Sequence, residues 1–483
     1  MWLLDTLTLQ HCWFHDPPTE EHYAILSHVW SQDGEQSFQD IKQIVTGFNV
    51  RRARRRWWRS GGAPWRGQQR CVWDDDHISA KIRNCCAVAR AMGYRYVWID
   101  SCCIDQTNSE QLSEAINSMF QWYSSAAVCF AFLEDVDDAG DPADKDSSFR
   151  RSRWFTRGWT LQELIAPREV LFLSKTWTML GTKQGLADAI EAITGIEHAV
   201  LLLEKPLDAI SVACRMSWAS RRETTRVEDE AYCLLGLFGI RMATTYGEGR
   251  NAFIRLQEEI LRQIPDQSIF VWGWDPTLDP STFQWPPHAQ RGLDRGKFVH
   301  RLGNLTAEEQ FLLAPSPLYF QFSGCILPIT HDTLAQRLGV PCMAPHYVLT
   351  SYGVRSRLPL IQPPDSAGTD WYLAALACQD DRGQLMALVL KSAGPDLPGQ
   401  YTVGRYNYGH DGPGPRLVAL QTSPSSVSDF QSVVEDEVYI AHRPNLRPMQ
   451  AAATRARGRR HMLRSAPRIS LTIRCDDLHW HLT

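Results

Sequence analysis

The sequence predicts an α/β fold over residues 1–195, with a parallel sheet flanked by helices, then a helical segment at 196–275 and a β-rich C-terminal domain at 276–483. Three observations carry this reading. Short apolar runs alternate with amphipathic ones through the first half, the pattern of strands buried on both faces beneath helices. Residues 201–264 lack such runs and instead carry apolar residues at helical spacing. From about residue 275, Pro and Gly punctuate short β-branched and aromatic runs, which predicts a sandwich-like domain. With 483 residues and 44% hydrophobic content, the chain has room for two or three domains with real cores.

Taken in order, YAILSHVW (23–30) reads as a first buried strand and AKIRNCCAVARAMG (80–93) as an amphipathic helix closed by Gly93. YRYVWID (94–100) is a second strand. SEQLSEAINSMFQWYSSA (109–126) is a helix with Ser109 as N-cap and Leu112, Ile116, Met119, Phe120 and Tyr123 on its apolar face. AVCFAFLEDV (127–136) and EVLFLS (169–174) supply the third and fourth strands, and KQGLADAIEAITG (183–195) a further helix. VEDEAYCLLGLFG (227–239) and GRNAFIRLQEEILRQI (249–264) are the strongest helical segments, the latter with Phe253, Leu256, Ile260 and Leu261 in one stripe. LYFQFSGCILPI, DWYLAALAC, QLMALVLKS, GQYTVGRY, EVYIAH and ISLTIR are strands of the last domain.

Composition excludes several classes. A net charge of −4 does not point to nucleic acid, although the basic insertion at about 46–76 and the stretch Arg443 to Arg474 concentrate arginine. RRARRRWWRSGGAPWRGQQR (51–70) has no periodicity and reads as a solvated, partly disordered linker rather than a base-stacking surface. No run of about 18 apolar residues is present to span a bilayer, and the N-terminus lacks a signal pattern, so a cytoplasmic protein is expected. Thirteen cysteines without a C-x-x-C spell neither a disulfide framework nor a metal site, so reduced, mostly buried thiols are expected and metal ligands are not. GLDRGKF (292–298) falls one residue short of a phosphate-binding loop and has Phe where Ser or Thr would hold magnesium.

In parallel sheets, ligands collect at the carboxyl ends of strands, which places Ser27, His28 and Trp30 after the first strand and Asp100 to Asp105, within WIDSCCIDQ, after the second. RGWTLQELIAP (157–167) reads as a short helix stopped by Pro167, with Leu161, Leu164 and Ile165 toward a core and Thr156, Trp159, Thr160 and Glu163 on the other face. A carboxylate beside an indole either has a raised pKa and a catalytic duty, or is exposed and pairs with Arg157 or Lys175. From the residues alone the second reading weighs more.

Three of these strings, YAILSHVW, YVWIDSCCIDQ and RGWTLQELI, in this order, resemble the signature blocks of the fungal heterokaryon incompatibility (HET) domain over roughly residues 23 to 175. RMSWASRRETTRVEDEAYCLLGLFGI and YGEGRNAFIRLQEEIL are similar to the segment that follows this domain. The resemblance implies a TIR/flavodoxin-like sheet, a part in cell death when unlike hyphae fuse, and protein partners or self-association through the domain. It further implies a distant relation to TIR domains, whose W-x-x-x-E-L string Trp159 to Leu164 matches. By that relation Glu163 is the catalytic residue of an NAD hydrolase. Ser27 and Asp100 line the sheet edge, Trp30 or Trp159 stacks on a base, and Arg157, with Arg150, Arg151 and Arg153, takes the pyrophosphate. No cofactor is implied, NAD being the substrate.

Overall fold

Four strands that read as continuous apolar runs form the parallel centre of the first sheet: β3 (Tyr23–His28), β4 (Tyr96–Trp98), β5 (Val128–Phe132) and β6 (Val170–Leu173). All residues of β3, β4 and β5 are buried, as expected of strands covered on both faces. The computed structural model describes residues 1–17, 22–59, 71–274, 311–362, 370–404, 416–420 and 432–442. A hairpin at the N-terminus, β1 (Trp2–Asp5) and β2 (His11–Trp13), and a strand β7 (Met179–Thr182) extend the sheet antiparallel at its two ends, so the full order is β2-β1-β4-β3-β5-β6-β7. The sheet is therefore mixed, where the sequence predicts a parallel one. The four parallel strands, counted along the chain, stand in the order 2-1-3-4.

Helices cover the crossovers: α1 (Phe38–Arg59) and α2 (Ala80–Ala91) between β3 and β4, α3 (Asp100–Cys103) and α4 (Ser109–Ser125) between β4 and β5, and α5 (Thr160–Ile165) before β6. Asn108, one residue before the predicted cap, is the N-cap of α4, its side chain accepting from the backbone of Glu110 and Gln111. The arginine block departs from the linker expected of it. Ile41 is buried and Ile44, Val45 and Phe48 pack on the core at helical spacing, so α1 is nucleated there and the following arginines, good helix formers, extend it to Arg59. Residues 60–70 of the block, like GLDRGKF, ISLTIR and the whole basic stretch Arg443 to Arg474, lie outside the described residues.

After α6 (Ala187–Thr194), the short helices α7 (His198–Leu201), α8 (Val212–Ser217), α9 (Asp229–Tyr232) and α10 (Leu235–Phe238) lead to the long α11 (Asn251–Gln263), whose Phe253, Leu256, Ile260 and Leu261 are all buried. The C-terminal part holds β8 (Leu327–Pro328), α12 (His331–Leu338), β9 (Val348–Thr350), β10 (Gly353–Gln362), β11 (Trp371–Gln379), β12 (Leu385–Ser392), β13 (Gln400–Val403), β14 (Leu417–Leu420) and β15 (Ser432–Ile440). These strands form one sheet rather than a sandwich. β11 pairs with both β10 and β12, β12 with β13, and β13 runs parallel to β15, which returns to β10, so five strands close a ring and hide the edges two sheets would expose. LYFQFSGCILPI is broken by two 3₁₀ turns, Pro317–Phe320 and Ser323–Cys325, because Pro317 starts a turn and the Ser323 hydroxyl donates to the Val271 carbonyl (2.6 Å).

One contiguous hydrophobic core includes Leu4, Trp98 and Phe172 of the first sheet and Val354, Leu376 and Leu388 of the second. Arg416, just before β14, ties the C-terminal sheet to the chain that follows α11. Its guanidinium lies 3.3 Å from the Trp272 ring centre and donates to the carbonyls of Trp272 (3.1 Å), Phe311 (3.3 Å) and Leu312 (3.5 Å).

Candidate functional site

Adjacent residues of a strand face opposite sides of its sheet, and β3 uses both sides at its carboxyl end. On one side Ser27 meets α5. The Trp154 indole N–H donates to Ser27 Oγ (2.8 Å), and the Ser27 hydroxyl in turn donates to Glu163 Oε2. Glu163 is 4% exposed, and all six residues of α5 are buried. This overturns the exposed face drawn for Glu163 on a helical wheel: α5 is covered on every side, Arg157 donates to Thr225 (2.8 Å) and Lys175 pairs with Asp137.

Burial pushes the Glu163 carboxyl up to about 8, the Asp100 charge adding to it, while the bonds to Ser27 and Tyr123 and the Arg222 cation oppose the rise. At neutral pH the group is therefore mostly protonated. Oε2 accepts from the Ser27 hydroxyl, and the nearby Tyr123 hydroxyl donates to the Leu26 carbonyl (2.8 Å). Lys183 holds the far end of α5. Its ammonium donates to the Leu164 carbonyl (3.2 Å) and to that of Pro167, and burial lowers it to about 8.

On the other side of β3, His28 Nε2 lies 2.8 Å from Asp100 Oδ1, and the Trp30 indole donates to Asp100 Oδ2 (2.7 Å). Lys81 donates to His28 Nδ1 (3.2 Å), the Val29 carbonyl (3.3 Å), Ser31 Oγ (3.2 Å) and Glu35. Because an ammonium can only donate, the ring proton of His28 is assigned to Nε2 and points at Asp100. Burial works against the Asp100 charge, but His28, Trp30 and the Ser101 backbone N–H hold its carboxyl below the usual range.

A cleft of about 780 Å³ opens at this edge, between the chain leaving β3 and the end of β5, lined among others by Ser31, Glu35, His77, Lys81, Phe132 and Trp177. The Trp177 ring stacks on Phe132 with centroids 4.4 Å apart. Glu163 is not among the lining residues; Lys81 and Glu35 stand between the His28–Asp100 pair and the cleft.

The predicted site residues thus fall in three places. Ser27 and Glu163 bond each other, and Trp30 and Asp100 bond each other across the strand. Trp159 faces Asp229 of α9 and Arg157 faces Thr225 of the loop before it, both away from Ser27. Arg150 donates to the Ala143 carbonyl, and Arg151 and Arg153 are exposed. Sequence reasoning missed Trp154, Lys81, Tyr123 and Arg222. Trp154 stands three residues before RGWTLQELIAP, but nothing local ties it to Ser27, 127 residues earlier. Among the described residues no group of three His, Cys, Asp or Glu is arranged to hold a metal, and no helix is long and apolar enough to cross a membrane.

Residues 23–148 match the heterokaryon incompatibility protein (HET) family, and residues 251–443 match a domain of unknown function, DUF8212. The vegetative incompatibility protein HET-E-1 of Podospora anserina is 41% identical over 248 residues, a stretch covering 49% of this chain and 16% of that protein. No solved structure matches the chain significantly. Two of the three blocks noted above, YAILSHVW and YVWIDSCCIDQ, lie inside the matched span, while Glu163 and its helix fall in the stretch between the two family matches. Over residues 23–148 the chain is thus similar to the heterokaryon incompatibility (HET) family, and it spans only a small part of the length of the relative it matches.

Proposed function

We propose that the chain acts in heterokaryon (vegetative) incompatibility, and that its N-terminal unit is a TIR-like domain that hydrolyses NAD in the cytoplasm, triggering cell death on binding a protein partner or a second copy. The family and its relative support the first half. The strand order 2-1-3-4 is that of flavodoxin-like sheets, in which ligands bind where the order reverses, between β3 and β5 here, and the cleft opens there. The observation that carries the enzymatic half is the buried Glu163 carboxyl bonded to Ser27 at that same sheet edge. In NAD hydrolysis the bond between the ribose C1′ and the nicotinamide nitrogen breaks with its electron pair leaving on nicotinamide. Water then adds to C1′ and releases a proton. An ionised carboxylate beside C1′ stabilises the oxocarbenium-like state between. Ser27 orients that carboxylate, and its ionised form grows as pH rises through about 8.

A specific observation favours a second reading, a non-enzymatic signalling module. Glu163 is nearly inaccessible, and burial keeps it mostly protonated at neutral pH, as a structural acid would be. The full chain and its Glu163→Gln variant, expressed at matched levels, separate the two. The enzyme predicts NAD loss with nicotinamide release by the parent alone. Cell death from both with NAD intact would leave the adaptor.

A further inference from the structure

Between the two family matches, a strap from after α8 is laid along the approach to α5. The Glu223 N–H donates to the Thr156 carbonyl (2.6 Å) and the Gly158 N–H to the Glu223 carbonyl (2.9 Å), so Arg157 and Glu223 pair as in a parallel ladder. The approach is so close that a Cβ on Gly158 would stand 2.5 Å from the Thr224 methyl. From this strap Arg222 reaches inward. Its Nη1 donates to the Arg157 carbonyl (2.8 Å) and Thr160 Oγ1 (3.0 Å), and its Nε to the Trp218 carbonyl (3.2 Å).

From Thr160 the connection runs on through both the backbone and the side chain of Trp154. The Thr160 hydroxyl donates to the Trp154 carbonyl (2.5 Å), the Trp154 indole to Ser27 Oγ (2.8 Å), and the Ser27 hydroxyl to Glu163. A cation at the start of a helix opposes the helix dipole, so Arg222 does not serve α5 for the helix's own sake. What it faces explains it. Around Glu163 stand Ser27 of β3, Asp100 at the end of β4, Tyr123 of α4 and the Cys129 thiol of β5, and Arg222 is the cation that acts on the carboxyl. A guanidinium suits the post because its planar fork can bind carbonyls from two nitrogens at once.

We propose that Arg222 is a positioning residue for Glu163, holding α5 and Trp154 so that Ser27 stays bonded to the carboxyl. The strap, outside both family matches, is then part of the site. The proposal rests on the reading of Glu163 as the reacting carboxylate, and two separate readouts keep their failures apart. In the full chain with ¹³C-labelled glutamate, the Glu163 carboxyl resonance, assigned by its loss in Glu163→Gln, is followed against pH. Arg222→Gln should move the titration up by about half a pH unit or more, and Arg222→Lys, which keeps the charge, by less. In the NAD assay, Arg222→Gln should lower kcat roughly tenfold with KM little changed, and Arg222→Lys should recover part of it. A parent chain that consumes no NAD overturns the enzymatic reading and leaves the titration to judge Arg222. If Arg222→Gln does not fold, Thr160→Val, which removes the link to Trp154, takes its place in both assays with the same expected directions. A folded Arg222→Gln, or Thr160→Val in its stead, with titration and rate both unchanged would overturn the proposal.

Discussion

Glu163 has two consequences at the scale of a single residue. Its carboxyl titrates near 8 in the fold against an ordinary value of 4.5, so between those values the folded chain holds a proton that the unfolded chain has released. Stability from this group is complete below about pH 4.5 and is lost as pH rises toward about 8. Glutamine has no proton to lose. Relative to Glu163→Gln, the parent should therefore lose up to about 1.4 kcal/mol per pH unit across that window, and the gap should stop widening above about pH 8. Urea unfolding of both proteins at about pH 6, 7.5 and 9 checks this, and a gap that stays constant would mean the carboxyl is ionised throughout. The candidate residue itself was legible in the sequence, as the lone carboxylate in RGWTLQELI. Its burial was not, because a helical wheel assigns one face to a core and α5 has a cover on every face.

Among the secondary-structure elements, the chain depends on close approaches that only small residues permit. α10 crosses α4 with Gly236 against Phe120, and a Cβ added to Gly236 would stand 2.1 Å from the Phe120 Cβ, an atom fixed to the backbone. The two helices would have to separate. Gly236→Ala should cost about 2 kcal/mol or more, although alanine favours helix at an unconstrained position, and denaturant titration measures it. The sequence legibly marks LLGLFG as helical and Gly239 as its end, since Gly239 takes a left-handed φ of 66°. The partner of Gly236 lies on a helix more than 100 residues earlier, and no local pattern points to it. The arginine run teaches the same lesson from the other side: without an apolar period it reads as a linker, yet a helix nucleated by Ile41, Ile44 and Phe48 carries it along.

For the whole molecule, the shared core makes a prediction that domain lengths alone would not. Because one hydrophobic cluster spans both sheets, the chain should melt in a single calorimetric transition, and two resolved transitions would contradict that. Arg416→Met should destabilise the chain by about 2 kcal/mol, since it leaves the carbonyls of Trp272 and Phe311 without this donor while Leu312 keeps that of the Trp272 indole, and it should lower that transition without splitting it.

By itself the sequence determined the local grammar of this protein: four buried strands separated by helices, a β-rich end, the family blocks, and one carboxylate worth testing. Those features have short periods or short spacings, set by 3.6 residues per helical turn and two per strand repeat. What joins them is set by the packing of the whole fold. Ser27 meets Glu163 across 136 residues, Arg222 reaches Arg157 across 65, and β13 closes the second sheet by lying parallel to β15. The physical reason is that such contacts depend on where whole elements pack, and packing satisfies buried polar groups with whatever partner the fold brings near rather than with a neighbour in sequence.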